Sequence, residues 1–181
     1  MAKSEADFIM EVTDRTRMDL QGGVLIENKG IMSLLEPEQV STLNTAEFQS
    51  TRNFKHFNTN NLWINLKALR NAVNKGMDLD ILVDTKQMHG GQTVIQLETA
   101  AGSAIKYFAN TYGISVPRSR YLPAKTCADL LLIRSDIFSL NRGRLVLNPE
   151  RAFGTIPVIK LGDHFKKDSL LVASSSFVMV I

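Results

Sequence analysis

The apolar positions change their period along the chain. "DFIMEV" (7–12) and both halves of "GVLIENKGIMSLLE" (23–36) are aliphatic runs of strand length, and Asn28-Lys29-Gly30 between those halves predicts a hairpin turn. Just ahead stands Gly22-Gly23, where backbone can come close to a ligand. Residues 37 to 53 read as connecting structure. From Asn61 the spacing becomes helical: Leu62, Leu66, Leu69 and Val73 share a face, and Gly76 follows as a stop. "DLDILVDT" predicts a short buried strand. "TVIQLETAAGSAIKYFANTYG" starts as a strand and continues as a helix through Ala101, Ala104, Ile105 and Phe108, closed by Gly113. Two prolines keep "ISVPRSRYLP" extended. "TCADLLLIRSDIFSLNRG" predicts a helix stopped at Gly143, and "TIPVIKLG" a further strand. This alternation of strands and helices favours an α/β layer, with no repeat, low-complexity tract or convincing linker to divide the chain.

Composition narrows the class. A chain of 181 residues with 44% apolar and 22% charged positions is ordinary for one globular domain. The single cysteine, Cys127, excludes an internal disulfide and a Cys-based zinc site, and it suits a reducing compartment, so a cytoplasmic setting is expected. "MAKSEADFIMEV" lacks the apolar core of a signal peptide, and no tract reaches the length of a membrane span. A net charge of +3 without a basic run argues against nucleic acid as partner. His56, His89 and His164 show no metal-ligand spacing, and no P-loop or G-x-G-x-x-G is present.

Two short stretches carry candidate chemistry. In "VPRSRYLPAKTCADLLL", Arg118, Arg120 and Lys125 sit on a proline-stiffened segment, and Thr126 with Asp129 forms a Thr-x-x-Asp capping box. That box places a helix N-terminus directly after Lys125, and a helix N-terminus beside a lysine suits a phosphoryl group. A solvated lysine and paired surface arginines explain the same pattern. In "FNTNNLWINL", Asn58, Thr59, Asn60 and Asn61 precede the predicted helix, and one of them suffices to cap it. The remaining amides suit sugar hydroxyls, while Trp63 either stacks on a sugar or fills the core. Glu98 in "QLETAAG" has a capping or surface role as its simpler reading.

"MEVTDRTRMDLQGGVLIENKGIMSLLEPEQV", "FNTNNLWINL", "VIQLETAAGSAI", "VPRSRYLPAKTCADLLL" and "IPVIKLG" together resemble the eukaryotic UTP–glucose-1-phosphate uridylyltransferases, in the same order and at similar spacing over residues 7 to 167. The resemblance implies attack of glucose 1-phosphate on the α-phosphate of UTP, with magnesium as cofactor, giving UDP-glucose and pyrophosphate. It identifies Lys125 with the family's catalytic lysine and Asn60 with its glucose-binding asparagine. In wider nucleotidyltransferase relatives a hairpin glycine and glutamate contact the sugar, and Gly23 and Glu36 are their equivalents here. The implied fold is α/β, a partial Rossmann-like nucleotidyltransferase domain with a mixed sheet.

The departures from the family pattern shape the expectation. The family's "LNGGLGT"-type nucleotide loop and "SDN"-type magnesium aspartate do not occur in these 181 residues, so no metal ligand is assigned within them. The expected organisation is residues 1–168 as the sugar-phosphate half of the catalytic domain, without the N-terminal nucleotide-binding half or the C-terminal left-handed β-helix. Residues 169–181, "SLLVASSSFVMVI" in full, form a divergent apolar tail. The leading expectation is a uridylyltransferase piece that is inactive alone. The alternative is a non-catalytic sugar-phosphate-binding or partner-binding protein on the same half-domain, and a nucleic-acid module is disfavoured.

Overall fold

The computed structural model describes residues 5–16, 19, 22–88, 90–124 and 126–162. Residues up to Pro117 form one compact unit, and those from Arg118 onward form a second.

The first unit is built on a mixed three-stranded sheet in the order β4-β1-β7. The central strand β1 (Phe8–Asp14) pairs antiparallel with β4 (His56–Ile64) and parallel with β7 (Thr111–Ser115). Phe8, Met10 and Val12 recur with period two on β1 and pack with Leu34, Ala104 and Ile105 into the core. Leu34 comes from the hairpin of β2 (Val24–Asn28) and β3 (Ile31–Leu35). Its turn is the predicted one, with Lys29 and Gly30 both at positive φ, 52° and 81°. The connection after β3 holds two short 3-10 turns and α1 (Thr45–Phe48).

Several elements depart from the sequence reading. The helical spacing from Asn61 is broken because Leu62, Trp63 and Ile64 pair with Met10, Ile9 and Phe8, so α2 (Leu66–Asn74) starts only after β4 ends. Asn65, not a residue of the 58–61 cluster, caps it, accepting from Lys67 N at 2.9 Å. The predicted strand at 78–85 exists as β5 (Ile81–Gln87), paired with β6 (Thr93–Thr99), but it is not buried. Ile81, Val83, Ile95 and Leu97 share one face of that hairpin, and all are exposed. The stretch Ala101–Tyr107 winds as a 3-10 helix, with both the amide and the hydroxyl of Ser103 donating to the Ala100 carbonyl, at 2.9 and 2.8 Å. Gly113 closes no helix. It lies inside β7, where a Cβ would stand 2.6 Å from Leu25 Cδ2.

In the second unit the segment after Pro117 is extended only in part, since Arg118–Arg120 forms a 3-10 turn. The helix predicted up to Gly143 stops at Arg134: α3 (Cys127–Arg134) is followed by a hairpin of β8 (Phe138–Asn141) and β9 (Arg144–Leu147). Arg142 and Gly143 adopt positive φ of 47° and 77°, so Gly143 serves a strand turn instead of a helix stop. Residues 155–162 form no strand. The apolar tail 169–181 lies outside the described residues. Among the described residues no helix is long and apolar enough to cross a membrane.

Candidate functional site

Asn60 owes its position to a mismatch between two paired strands. Met10 faces Leu62 and Val12 faces Asn58, so Glu11 alone lies opposite Thr59, Asn60 and Asn61. The surplus residues bulge out of β4. Asn60 adopts φ +62°, a left-handed conformation that asparagine tolerates better than most side chains. The buried Asn58 clasps it: Asn58 Nδ2 donates to Asn60 Oδ1 and Asn60 N donates to Asn58 Oδ1, both at 2.8 Å. With Oδ1 engaged inward, the exposed Asn60 keeps its amide Nδ2 as a donor at the surface.

The same asparagine pair joins β4 to the start of the β2–β3 hairpin. Asn58 N donates to Gly23 O at 2.8 Å. Glu36, at the far end of β3, folds its carboxylate onto Gly23, where a Cβ would stand 2.4 Å from Oε2. Only a residue without a side chain permits that approach. Glu36 is fixed through its backbone, its amide donating to Gln39 Oε1 at 2.9 Å. Of the residues the resemblance assigned to the site, Gly23 and Asn60 are both bonded to Asn58, and Glu36 lies against Gly23. Asn58 itself is a residue whose role the sequence did not disclose.

The segment leading to Gly23 is anchored by a buried cation. Arg15 lies over the Phe48 ring at 4.8 Å and donates from Nη1 to the Phe48 carbonyl at 2.6 Å. Burial pushes its guanidinium below the ordinary arginine pKa, and the neighbouring Asp19 carboxylate opposes that shift. Asp19 caps the turn, accepting from Thr16 N at 2.9 Å and passing its carbonyl to Gly22 N at 3.1 Å.

Trp63 does not fill the core. It is 53% exposed, and its indole N–H donates to Glu11 Oε1 at 2.9 Å. Glu98 is exposed on the β5–β6 hairpin, beside Lys86. In the second unit the capping box is formed: Asp129 N donates to Thr126 Oγ1 at 3.2 Å, and Thr126 N donates to Asp129 Oδ2 at 2.8 Å. Lys125, immediately before this capped N-terminus in the sequence, lies outside the described residues. Among the described residues no group of three or more His, Cys, Asp or Glu side chains is placed to hold a metal ion. The magnesium implied by the sequence resemblance therefore finds no ligand set in them.

The family model described as UTP–glucose-1-phosphate uridylyltransferase matches residues 1–174. The chain belongs to this family. It is 47% identical over 171 residues to a probable UTP–glucose-1-phosphate uridylyltransferase of Schizosaccharomyces pombe, covering 92% of this chain and 34% of that protein. Against the UTP–glucose-1-phosphate uridylyltransferase of Encephalitozoon cuniculi it is 52% identical over 168 residues, with 92% and 34% covered. The chain therefore spans about a third of the length of these curated relatives. A solved structure described as UDP-glucose phosphorylase from Trypanosoma brucei superposes with a TM-score of 0.80 at 37% identity, covering 92% of this chain and 38% of that one. A mutant UDP-glucose pyrophosphorylase of Leishmania major in complex with UDP-glucose gives 0.70 at 36% identity, with 82% and 35% covered. The mixed sheet described above is accordingly a uridylyltransferase-type fold.

Proposed function

We propose that this chain supplies the sugar-phosphate side of a UTP–glucose-1-phosphate uridylyltransferase, corresponding to the second half of a Rossmann-like catalytic domain. In that reaction a phosphate oxygen of glucose 1-phosphate forms a bond to the α-phosphorus of UTP. The bond from that phosphorus to the bridging oxygen breaks, and pyrophosphate leaves. The protein's task is to align the two substrates and to neutralise charge. Asn60 offers its amide to a glucose hydroxyl, and Glu36 accepts from another. The missing side chain at Gly23 lets the Glu36 carboxylate lie where it can meet the sugar. Lys125, ahead of the capped α3, stabilises the phosphate charge as transfer proceeds. Magnesium belongs to this reading through the family.

The observation that carries the reading is that Asn58 bonds to both Gly23 and Asn60 while the Glu36 carboxylate lies against Gly23, so that three separate points of the sequence come together. The family's substrates make glucose 1-phosphate the ligand of choice, and a UDP-glucose complex of a relative is consistent with it. The lone buried cysteine, Cys127, favours a reducing, cytoplasmic setting.

The test is a titration of the isotopically labelled chain with glucose 1-phosphate and with UDP-glucose, followed by amide NMR. Shifts should concentrate at Gly23, Glu36 and Asn60, and Asn60→Ala should weaken binding of either ligand by roughly tenfold, the worth of one lost polar contact to the sugar. Shifts scattered elsewhere, or an Asn60→Ala chain binding as tightly as the parent, would refute the assignment.

A further inference from the structure

Asn60 stands at the tip of the β4 bulge, and one buried residue, Glu11, ties both of its legs, one through its main-chain oxygen and one through its carboxylate. Phe8, Met10 and Val12 turn toward the core cluster, so Glu11 between them points to the opposite face of the sheet, yet it is only 3% exposed. A carboxylate buried to this degree destabilises the fold unless hydrogen bonds satisfy it. Glu11 finds them on β4. Its main-chain oxygen accepts from Thr59 Oγ1 at 3.0 Å, before Asn60. Its carboxylate accepts from Asn61 Nδ2 at 3.5 Å and from Trp63 Nε1 at 2.9 Å, after Asn60.

We propose that Glu11 is a positioning residue for sugar recognition by Asn60, an inference that rests on the assignment of Asn60 made above. Three residues against one leave β4 free to place its surplus anywhere between Asn58 and Leu62. The two carboxylate bonds fix Asn61 and Trp63, and the Thr59 bond fixes the other leg, so the surplus falls on Asn60. The left-handed φ of Asn60 persists because its surroundings determine it. Glu11 itself does not touch the sugar in this arrangement.

Glu11→Gln keeps the side-chain size but leaves one acceptor oxygen for the two donors of Asn61 and Trp63, and sets an NH2 against one of them. In the 181-residue chain, without ligand, the Asn60 amide signal should shift in this variant. Glucose 1-phosphate affinity should fall about tenfold, since small misplacements of a polar contact are costly. In an Asn60→Ala background the same change should weaken binding no further, because the contact it serves is already gone. Trp63→Phe, a change at a half-exposed position that spares the fold, should act in the same direction more weakly. An unmoved Asn60 amide, or a Glu11→Gln loss that multiplies with that of Asn60→Ala, would overturn the proposal. Should Asn60→Ala alone leave binding untouched, the sugar assignment would fall first. The ligand-free Asn60 amide would then still decide whether Glu11 shapes the bulge.

Discussion

Gly23→Ala separates recognition from stability. An added Cβ would stand 2.4 Å from Glu36 Oε2, 2.6 Å from Cδ and 2.8 Å from Oε1. Non-bonded atoms sit comfortably at about 3.5 Å, so the carboxylate must retreat by about 1 Å. It is the end of a flexible side chain, and a shifted rotamer costs about 0.5–1.5 kcal/mol. Gly23 is not among the residues at positive φ, so alanine fits its backbone and contributes about 0.4–1 kcal/mol through the unfolded state. The two nearly cancel, leaving the melting temperature within a few degrees. Sugar binding fares differently. Losing a hydrogen bond to a charged group removes about 1.5–3 kcal/mol, so the glucose 1-phosphate Kd should rise roughly 10- to 150-fold. Gly22→Ala is the control. Its Cβ would meet Phe57 Cδ2 at 2.7 Å, and that ring, 1% exposed, has nowhere to go, so a stability loss of about 1–3 kcal/mol is expected. Thermal melts beside NMR titrations read both quantities. A Gly23→Ala chain that binds normally, or that melts as early as Gly22→Ala, would refute the reasoning.

Thr126→Ala should lower stability by about 1 kcal/mol by removing the α3 cap, measured by urea denaturation, with Thr126→Ser recovering most of it. Replacing both Ile95 and Leu97 by Thr on the exposed hairpin face should raise solubility with little change in melting temperature. Deletion of residues 169–181, which combine β-propensity with no charge and no proline, should also raise solubility in a sedimentation assay. The purified chain, lacking any "LNGGLGT"-type loop, should release no pyrophosphate from UTP and glucose 1-phosphate. A chimaera placing it in the matching region of the Schizosaccharomyces pombe relative should turn over, and Lys125→Ala should then lower mainly kcat.

What was legible in the sequence was what local chemistry decides. The β2–β3 turn needed two residues at positive φ and announced them in Asn28-Lys29-Gly30, and the α3 start was written in Thr126 and Asp129. What was hidden depends on partners far away. Leu62 carries helical spacing with Leu66, Leu69 and Val73, but Leu62 to Ile64 pair with β1 some fifty positions earlier, and that ladder outweighs local propensity. Gly113 looked like a terminator because its reason, the nearness of Leu25, lies on another strand. Arg142-Gly143 was read as a helix end since a strand turn and a helix stop both use positive φ. For the candidate site, the resemblance supplied Gly23, Glu36 and Asn60; Asn58 stood in the noted asparagine cluster without a role of its own, and Glu11 went unnoticed. One signal for Glu11 was available: a lone carboxylate in the middle of the apolar "DFIMEV".

The central position of β1 also sets a timetable for biosynthesis. Its parallel neighbour lies far downstream, and the Thr13 hydroxyl reaches the Val116 carbonyl across 103 positions. The β2–β3 and β5–β6 hairpins close locally, on the order of microseconds. Strand β1 must wait for its second neighbour to be translated, roughly 5–20 s at about 5–20 residues per second. During that interval Phe8, Met10 and Val12 have a nascent strand edge beside them, open to any chaperone or wrong neighbour at the ribosome exit. Among the strands described, the earliest in sequence is among the last to be fully paired.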